Sequence, residues 1–438
     1  MLSPAPTDEV AQSLSPRQQA LGMRYAYAGQ SVGILMQMFL LRAAIGTLWI
    51  KHLGGSDLLA MSLGALVGML RLVAIPTAVL VHPANGKRFM LRGWLLYAML
   101  MAVAILLPSF LGDGKTAAAA FVGAAALAMA VNHSAGTFWF PLLHDVVPRD
   151  RRGRFFGNLR ATWNTTLVIA VVGAGMFLGE QPATWQFQVI LGAGVCGVLL
   201  RNLLIARVPE ARHGLEGQDD FGDWRLHLRN ILARRQVVMF IVYYSLLALC
   251  MGFLAQPLVL YMKELGFSPR ENVITFGFMP VGMAAALLVG GQLVDRLGTK
   301  RVFLASNILL CAACFAIVVI AMQPMPLLKV LLGVAFVVSG AVSAVAALAC
   351  TAQLFHLSPL QGRPLFLSLA SILAYAGPAS AMLVAGGVLD ITPAGWHVTV
   401  GAIHLDVFQV MLCLAGVAML LVTGLLRFVQ DVSPRAQV

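Results

Sequence analysis

Twelve apolar runs, each about as long as a bilayer-spanning helix, divide this chain, and they constrain its fold more than any other feature. They lie near 26–50, 57–82, 89–111, 116–144, 155–179 and 184–206. After a polar stretch, six more lie near 236–262, 271–294, 300–323, 327–355, 364–389 and 402–427. A hydrocarbon core takes roughly 20 residues of helix, so twelve spans use about 240 residues. With 59% hydrophobic and only 11% charged residues in 438 positions, the chain supplies that many and excludes an ordinary soluble domain. The runs are continuous and about twice the length of β-barrel strands, and the 42 glycines suit close helix packing in lipid. The expected fold is all-α and integral to a membrane.

The basic residues sort by side. One set of alternate loops and span ends carries Arg17, Arg24, Lys87, Arg88, Arg92, Arg149, Arg151, Arg152, Arg154, Arg160, the group from Arg201 to Arg235, Arg296, Lys300, Arg301, Arg363, Arg427 and Arg435. The other set has Lys51, Lys115, Lys263, Arg270 and Lys329. Cytoplasmic loops carry the Lys and Arg excess, so this split places both termini in the cytoplasm of a plasma-membrane protein. The net charge of +12 is scattered between apolar runs, and no nucleic-acid partner is expected. Residues 1–24 have no short apolar core before a cleavage site, so no removable signal peptide is expected. All six cysteines sit in apolar segments, as small buried hydrophobes do, without a disulfide framework. No cofactor or metal is expected, and the chain is expected to be monomeric.

Shifted by 212 residues, the chain lies over itself. Trp49-Ile50-Lys51-His52-Leu53-Gly54-Gly55-Ser56 falls on Tyr261-Met262-Lys263-Glu264-Leu265-Gly266-Phe267-Ser268. Two parallel six-helix halves follow, as in transporters whose binding site lies between repeats near the midplane. The expected organisation is a tail at 1–25, a bundle at 26–206, a linker at 207–235, a second bundle at 236–430 and a tail at 431–438. Residues 224–235 read as an amphipathic interfacial helix or an ordinary polar linker, and the basic loops as a surface for anionic lipid.

The loop between spans eight and nine reads Gly291-Gln292-Leu293-Val294-Asp295-Arg296-Leu297-Gly298-Thr299-Lys300-Arg301. It resembles the signature loop of the major facilitator superfamily. The resemblance implies two pseudo-symmetric six-helix bundles that rock about a central site and open it alternately to each side. It also implies gating roles for Gly291, Asp295, Arg296, Gly298 and Lys300. Asp295 is then a latch that accepts hydrogen bonds from the start of span five, near Arg152 and Arg154, where the helix dipole is positive. The first-half copy, His82 to Arg88, lacks the Asp, and Asp145 is the candidate partner for Lys87 or Arg88. Asn132 stands where many relatives carry an Arg before Gly136, and span five lacks a Gly-Pro antiporter pattern. Both departures weaken proton-driven drug export.

A charge near a span centre costs about 2.5–3.5 kcal/mol even on lenient insertion scales, so Arg42, Arg71 and His133 are functional candidates. Arg71 lies near the middle of span two and faces either a cavity or carbonyls at a helix break near Pro76. Arg42 can reach the outer interface. His133, beside Asn132, is a proton carrier or a packing residue. Gln30 and Gln37 share a face of span one. Asn164, Tyr243, Gln256 and Tyr375 complete the expected substrate-binding set. None of the 18 carboxylates falls near a span centre, so a carboxylate proton relay is missing.

Two strings are decoys. Gly192-Ala193-Gly194-Val195-Cys196-Gly197 fits a dinucleotide fingerprint by letter but lies inside a span, and Cys311-Ala312-Ala313-Cys314 has no second pair. The chain reads as a permease for a small polar or anionic solute, with a coupling ion possible and no enzymatic activity. Export of amphipathic compounds is the second reading, ahead of a receptor or enzyme on the same scaffold.

Overall fold

The computed structural model describes residues 14–41, 43–82, 85–148, 152–210, 229, 233–357, 363–393, 395–401 and 403–431. Among them, eleven helical stretches are long and apolar enough to cross a membrane, and a bent pair in the first span makes the twelfth. Arg42 and most of the linker, including most of the amphipathic stretch expected at 224–235, lie outside the described residues.

The first span is built from α1 (Pro16–Gly33), α2 (Leu35–Leu41) and α3 (Ile45–His52). The second runs through α4 (Asp57–Met69), a 3₁₀ turn (Leu70–Val73) and α5 (Ala74–Leu80). Then follow α6 (Gly86–Leu111), α7 (Lys115–Gly136) with the short α8 (Trp139–Val146), α9 (Arg152–Leu178) and α10 (Thr184–Ala206). In the second half, α11 (Arg235–Gly252) and α12 (Gln256–Glu264) form span seven, and α13 (Pro269–Phe276) and α14 (Phe278–Leu297) form span eight. Spans nine to twelve are α15 (Thr299–Ala321), α16 (Met325–Leu357), α17 (Arg363–Ile391) and α18 (Val407–Thr423).

The sequence repeat is a structural one. Gly54 and Gly266 occupy equivalent positions and take φ of 84° and 87°, a left-handed conformation that glycine adopts without steric cost. In both copies the chain folds back on the preceding helix, with Gly55 N–H donating to the Ile50 carbonyl (2.8 Å) and Phe267 N–H to that of Met262 (3.0 Å). Ser56 and Ser268 then cap α4 and α13, accepting from the N–H groups of Leu59 (3.2 Å) and Glu271 (3.3 Å). One turn chemistry therefore sets the entry of spans two and eight alike.

The chain is helical as expected for nearly all its described residues, with one local addition. Residues 397–406, read in part as the start of span twelve, form a hairpin of β1 (His397–Val400) and β2 (Ile403–Asp406), paired antiparallel with His397 opposite Asp406. Val398, Thr399, Val400 and Ile403 favour extended backbone. Gly401 makes the turn at φ 62°. Asp406 closes the hairpin and opens α18 through a capping box with Gln409.

Within each half, small residues let helices touch. A Cβ on Gly282 of α14 would strike the Val337 carbonyl of α16, and one on Gly340 would strike that of Met279. Between the halves, α4 packs on α17, and α9 packs on α13 and α14. The hydrogen bonds from Asp57 and Leu58 to Asp390, from Gln256 to Leu41 and from Arg270 to Gly179, and the ring contact of Arg71 with Tyr375, join the halves between the mid-span level and the face poor in basic loops.

Candidate functional site

Span two breaks where the sequence places its mid-span charge. The α-helix tightens into the 3₁₀ turn Leu70–Val73, with Arg71 inside it, and resumes at Ala74. A 3₁₀ stretch in mid-helix often marks a hinge. The Arg71 guanidinium lies over the Tyr375 ring of α17, 3.5 Å from its centre, so a cation of the first half rests on an aromatic of the second. Arg160, two turns into α9, interacts electrostatically with the same tyrosine. His133 of α7 interacts with Arg71 and donates its Nε2–H to the Val67 carbonyl (3.2 Å) just before the break. Among the described residues the ion pairs are Lys51–Asp57 and Lys329–Glu271, so neither arginine has a carboxylate partner there.

Other members of the expected set are distributed more widely. Gln256, 4% exposed, sits between the halves, its Nε2 donating 2.6 Å to the Leu41 carbonyl near the break in span one. Gln30 and Gln37 are half-buried on either side of the α1–α2 junction. Asn132 is buried, and Asn164 is buried with its amide donating to the Arg160 carbonyl (2.8 Å). Tyr243 is fully buried inside the second half, hydrogen-bonded to Asn307 and packed on Phe303, apart from the arginine pair.

A family model described as Major Facilitator Superfamily matches residues 256–437. A search of curated proteins found no match. Among solved structures, a point mutant of the nucleoside transporter NupG superposes with a TM-score of 0.70 at 14% identity, covering 93% of this chain and all of that one. The chain has the major facilitator superfamily fold. A bacterial homologue of the iron transporter ferroportin in its inward-facing state is similar at TM-score 0.63 and 18% identity, over 95% of this chain and 99% of that one. The inward-open xylose transporter XylE from E. coli is similar at 0.61 and 14%, over 95% and 96%.

In this major facilitator fold a helix-capping carboxylate joins the halves on the face poor in basic loops. Asp390, at the end of α17, accepts from the N–H groups of Asp57 (2.8 Å) and Leu58 (3.2 Å) at the start of α4. A carboxylate of one half thereby caps a helix of the other. Asp390→Ala removes that cap and should destabilise the protein by about 0.5–2 kcal/mol, the usual cost of a lost cap, read as a lower melting temperature. An unchanged melting temperature would show that the contact contributes nothing.

On the basic face, Asp295, Arg296 and Gly291 are exposed, as is Arg88. Gly298 turns the loop at φ 80°, and the Lys300 N–H donates to Asp431 (3.0 Å), which caps α15 from the chain's far end. Lys87 donates to the Val208 carbonyl (2.6 Å). The side chains of Asp145, Arg152 and Arg154 lie outside the described residues.

Two arginines that the loop count absorbed are internal. Arg160 is one, and Arg201 is the other. Arg201 is 6% exposed in α10 and stacked 3.9 Å from the Trp94 ring centre. It lies where a Cβ on Gly33 would clash with it. The available signal was depth, since Arg201 falls five residues before the expected end of span six, and Arg160 five residues after the expected start of span five.

Proposed function

We propose that this chain is a secondary transporter that carries a small polar solute with an anionic group across the plasma membrane by alternating access. The observation that carries the reading is Arg71 stacked on Tyr375, between the halves and at mid-span, without a described carboxylate partner, with Arg160 in electrostatic reach of the same tyrosine. An arginine at that depth is costly, and such residues mark substrate or ion pathways. Its planar fork suits carboxylate or phosphate groups.

With the basic loops in the cytoplasm, the contacts between halves described above close the outer side, and Asp295 is exposed on the cytoplasmic side. The latch role of Asp295, with Arg152 and Arg154 as its counterparts, belongs to the state closed on that side. The lack of a mid-span carboxylate favours uniport or exchange. A proton-coupled cycle through His133 would load the proton at Nδ1, because Nε2–H is already given to the Val67 carbonyl.

The test is thermal stability of purified protein against a panel of solutes sorted by charge. A ligand that binds only the folded state, at a hundredfold over its dissociation constant, adds about 2.7 kcal/mol. Stabilisation by anions alone, followed by their uptake into vesicles, supports the reading. Stabilisation by neutral or lipophilic solutes alone overturns the anion assignment.

A further inference from the structure

We propose that the hairpin between α17 and α18 binds a divalent transition-metal ion of the imidazole-preferring class, Zn²⁺ or Cu²⁺, through His397 and His404. The two residues lie on opposite strands. Thr399 faces His404 across the hairpin and His397 faces Asp406, so all four side chains emerge on one face of the ribbon. Both imidazoles are exposed to solvent.

The spacing fits a shared ion. Two imidazoles bound through nitrogen at about 2.0–2.1 Å to one tetrahedral ion hold their ring centres about 5.2 Å apart. Those of His397 and His404 are 5.3 Å apart, with the planes at 85°.

The outer partners fit as well. A histidine that ligates a metal usually engages its other ring nitrogen with a carbonyl, carboxylate or hydroxyl, which fixes the tautomer. His397 Nδ1–H donates to the Gly395 carbonyl (3.0 Å), and His404 Nδ1 is 3.0 Å from the Thr399 hydroxyl, to which it donates in the bound form. Both arrangements present Nε2 as the free ligand. Among the described residues no group of three His, Cys, Asp or Glu side chains is placed to hold a metal, so water completes the coordination and the ion remains open to exchange.

Trp396, beside the first ligand and 40% exposed, provides a local reporter. The full chain, purified without a polyhistidine tag, is titrated with Cu²⁺, the tightest-binding first-row divalent ion. The fluorescence lost in Trp396→Phe isolates the signal of that residue. Saturable quenching of that signal at one ion per chain is expected, with Zn²⁺ competing. His397→Ala and His404→Ala should each weaken binding at least tenfold, and Thr399→Val should weaken it by roughly 10–100-fold while both ligands remain. Wild-type protein without saturable quenching overturns the site. So does a His397→Ala/His404→Ala double variant that binds as wild type does. Unchanged melting of the metal-free variants confirms that they fold.

Discussion

Arg71→Ala will abolish most of the stabilisation that anionic solutes give the wild-type protein. A hydrogen bond to a charged group contributes about 1.5–3 kcal/mol, so affinity should fall roughly 10–150-fold. Arg160→Ala should weaken the same anions in the same direction, because its charge acts on the tyrosine that Arg71 stacks on. Arg71→Lys should recover part of the affinity, since it keeps the charge but not the planar fork. Melting without solute separates binding from scaffolding, because only the cation–π contact with Tyr375 is then lost. Equal stabilisation of wild type and Arg71→Ala by the same anions would return Arg71 to a structural role.

Gly68→Val should shift the protein away from the closed face described here. A Cβ at Gly68 lies 3.1 Å from both the Ala379 Cβ and the Tyr375 carbonyl, so it already presses α4 against α17, and two further methyls force them apart. Overpacking of this kind costs about 1–3 kcal/mol, which lowers the ratio of closed to open molecules roughly 5–150-fold. Spin labels at positions 113 and 323, on loops of opposite halves, report the separation in a cysteine-replaced background. A broadened, longer distance distribution is expected. Gly123→Val, where nothing lies within 4 Å, is the control. An unchanged distribution in Gly68→Val would mean that α4 and α17 do not close this face.

The spans were legible because length and hydropathy alone decide whether a helix can cross a bilayer. The paired turns at Gly54 and Gly266 were legible because a left-handed glycine followed by a capping serine is a local device and leaves a local string. The same reasoning misread Arg160 and Arg201. A long basic side chain close to a span end normally reaches the interface, and position alone does not distinguish one that folds back into a half, as Arg201 does over Gly33. Asp390 escaped for a different reason. Its acceptor oxygen serves a helix 333 residues away in the chain, and no sequence window contains both partners. The hairpin was hidden by its own residues, since Val398, Val400 and Ile403 extend an apolar pattern whether the backbone is strand or helix.

The contact at Asp390 has a counterpart across the repeat. Shifting Leu58 and Leu178 by 212 gives Arg270 and Asp390, and the Arg270 N–H donates to the Gly179 carbonyl (3.0 Å) just as that of Leu58 donates to Asp390. A half-length chain pairing with itself about a two-fold axis would make one self-complementary seam, repeated on each side. In the fused chain the copies have diverged, one edge held by an ionisable side chain and the other by the peptide backbone. Mutation can therefore loosen the first edge while the second stays intact, and the closed face can give way at one side before the other.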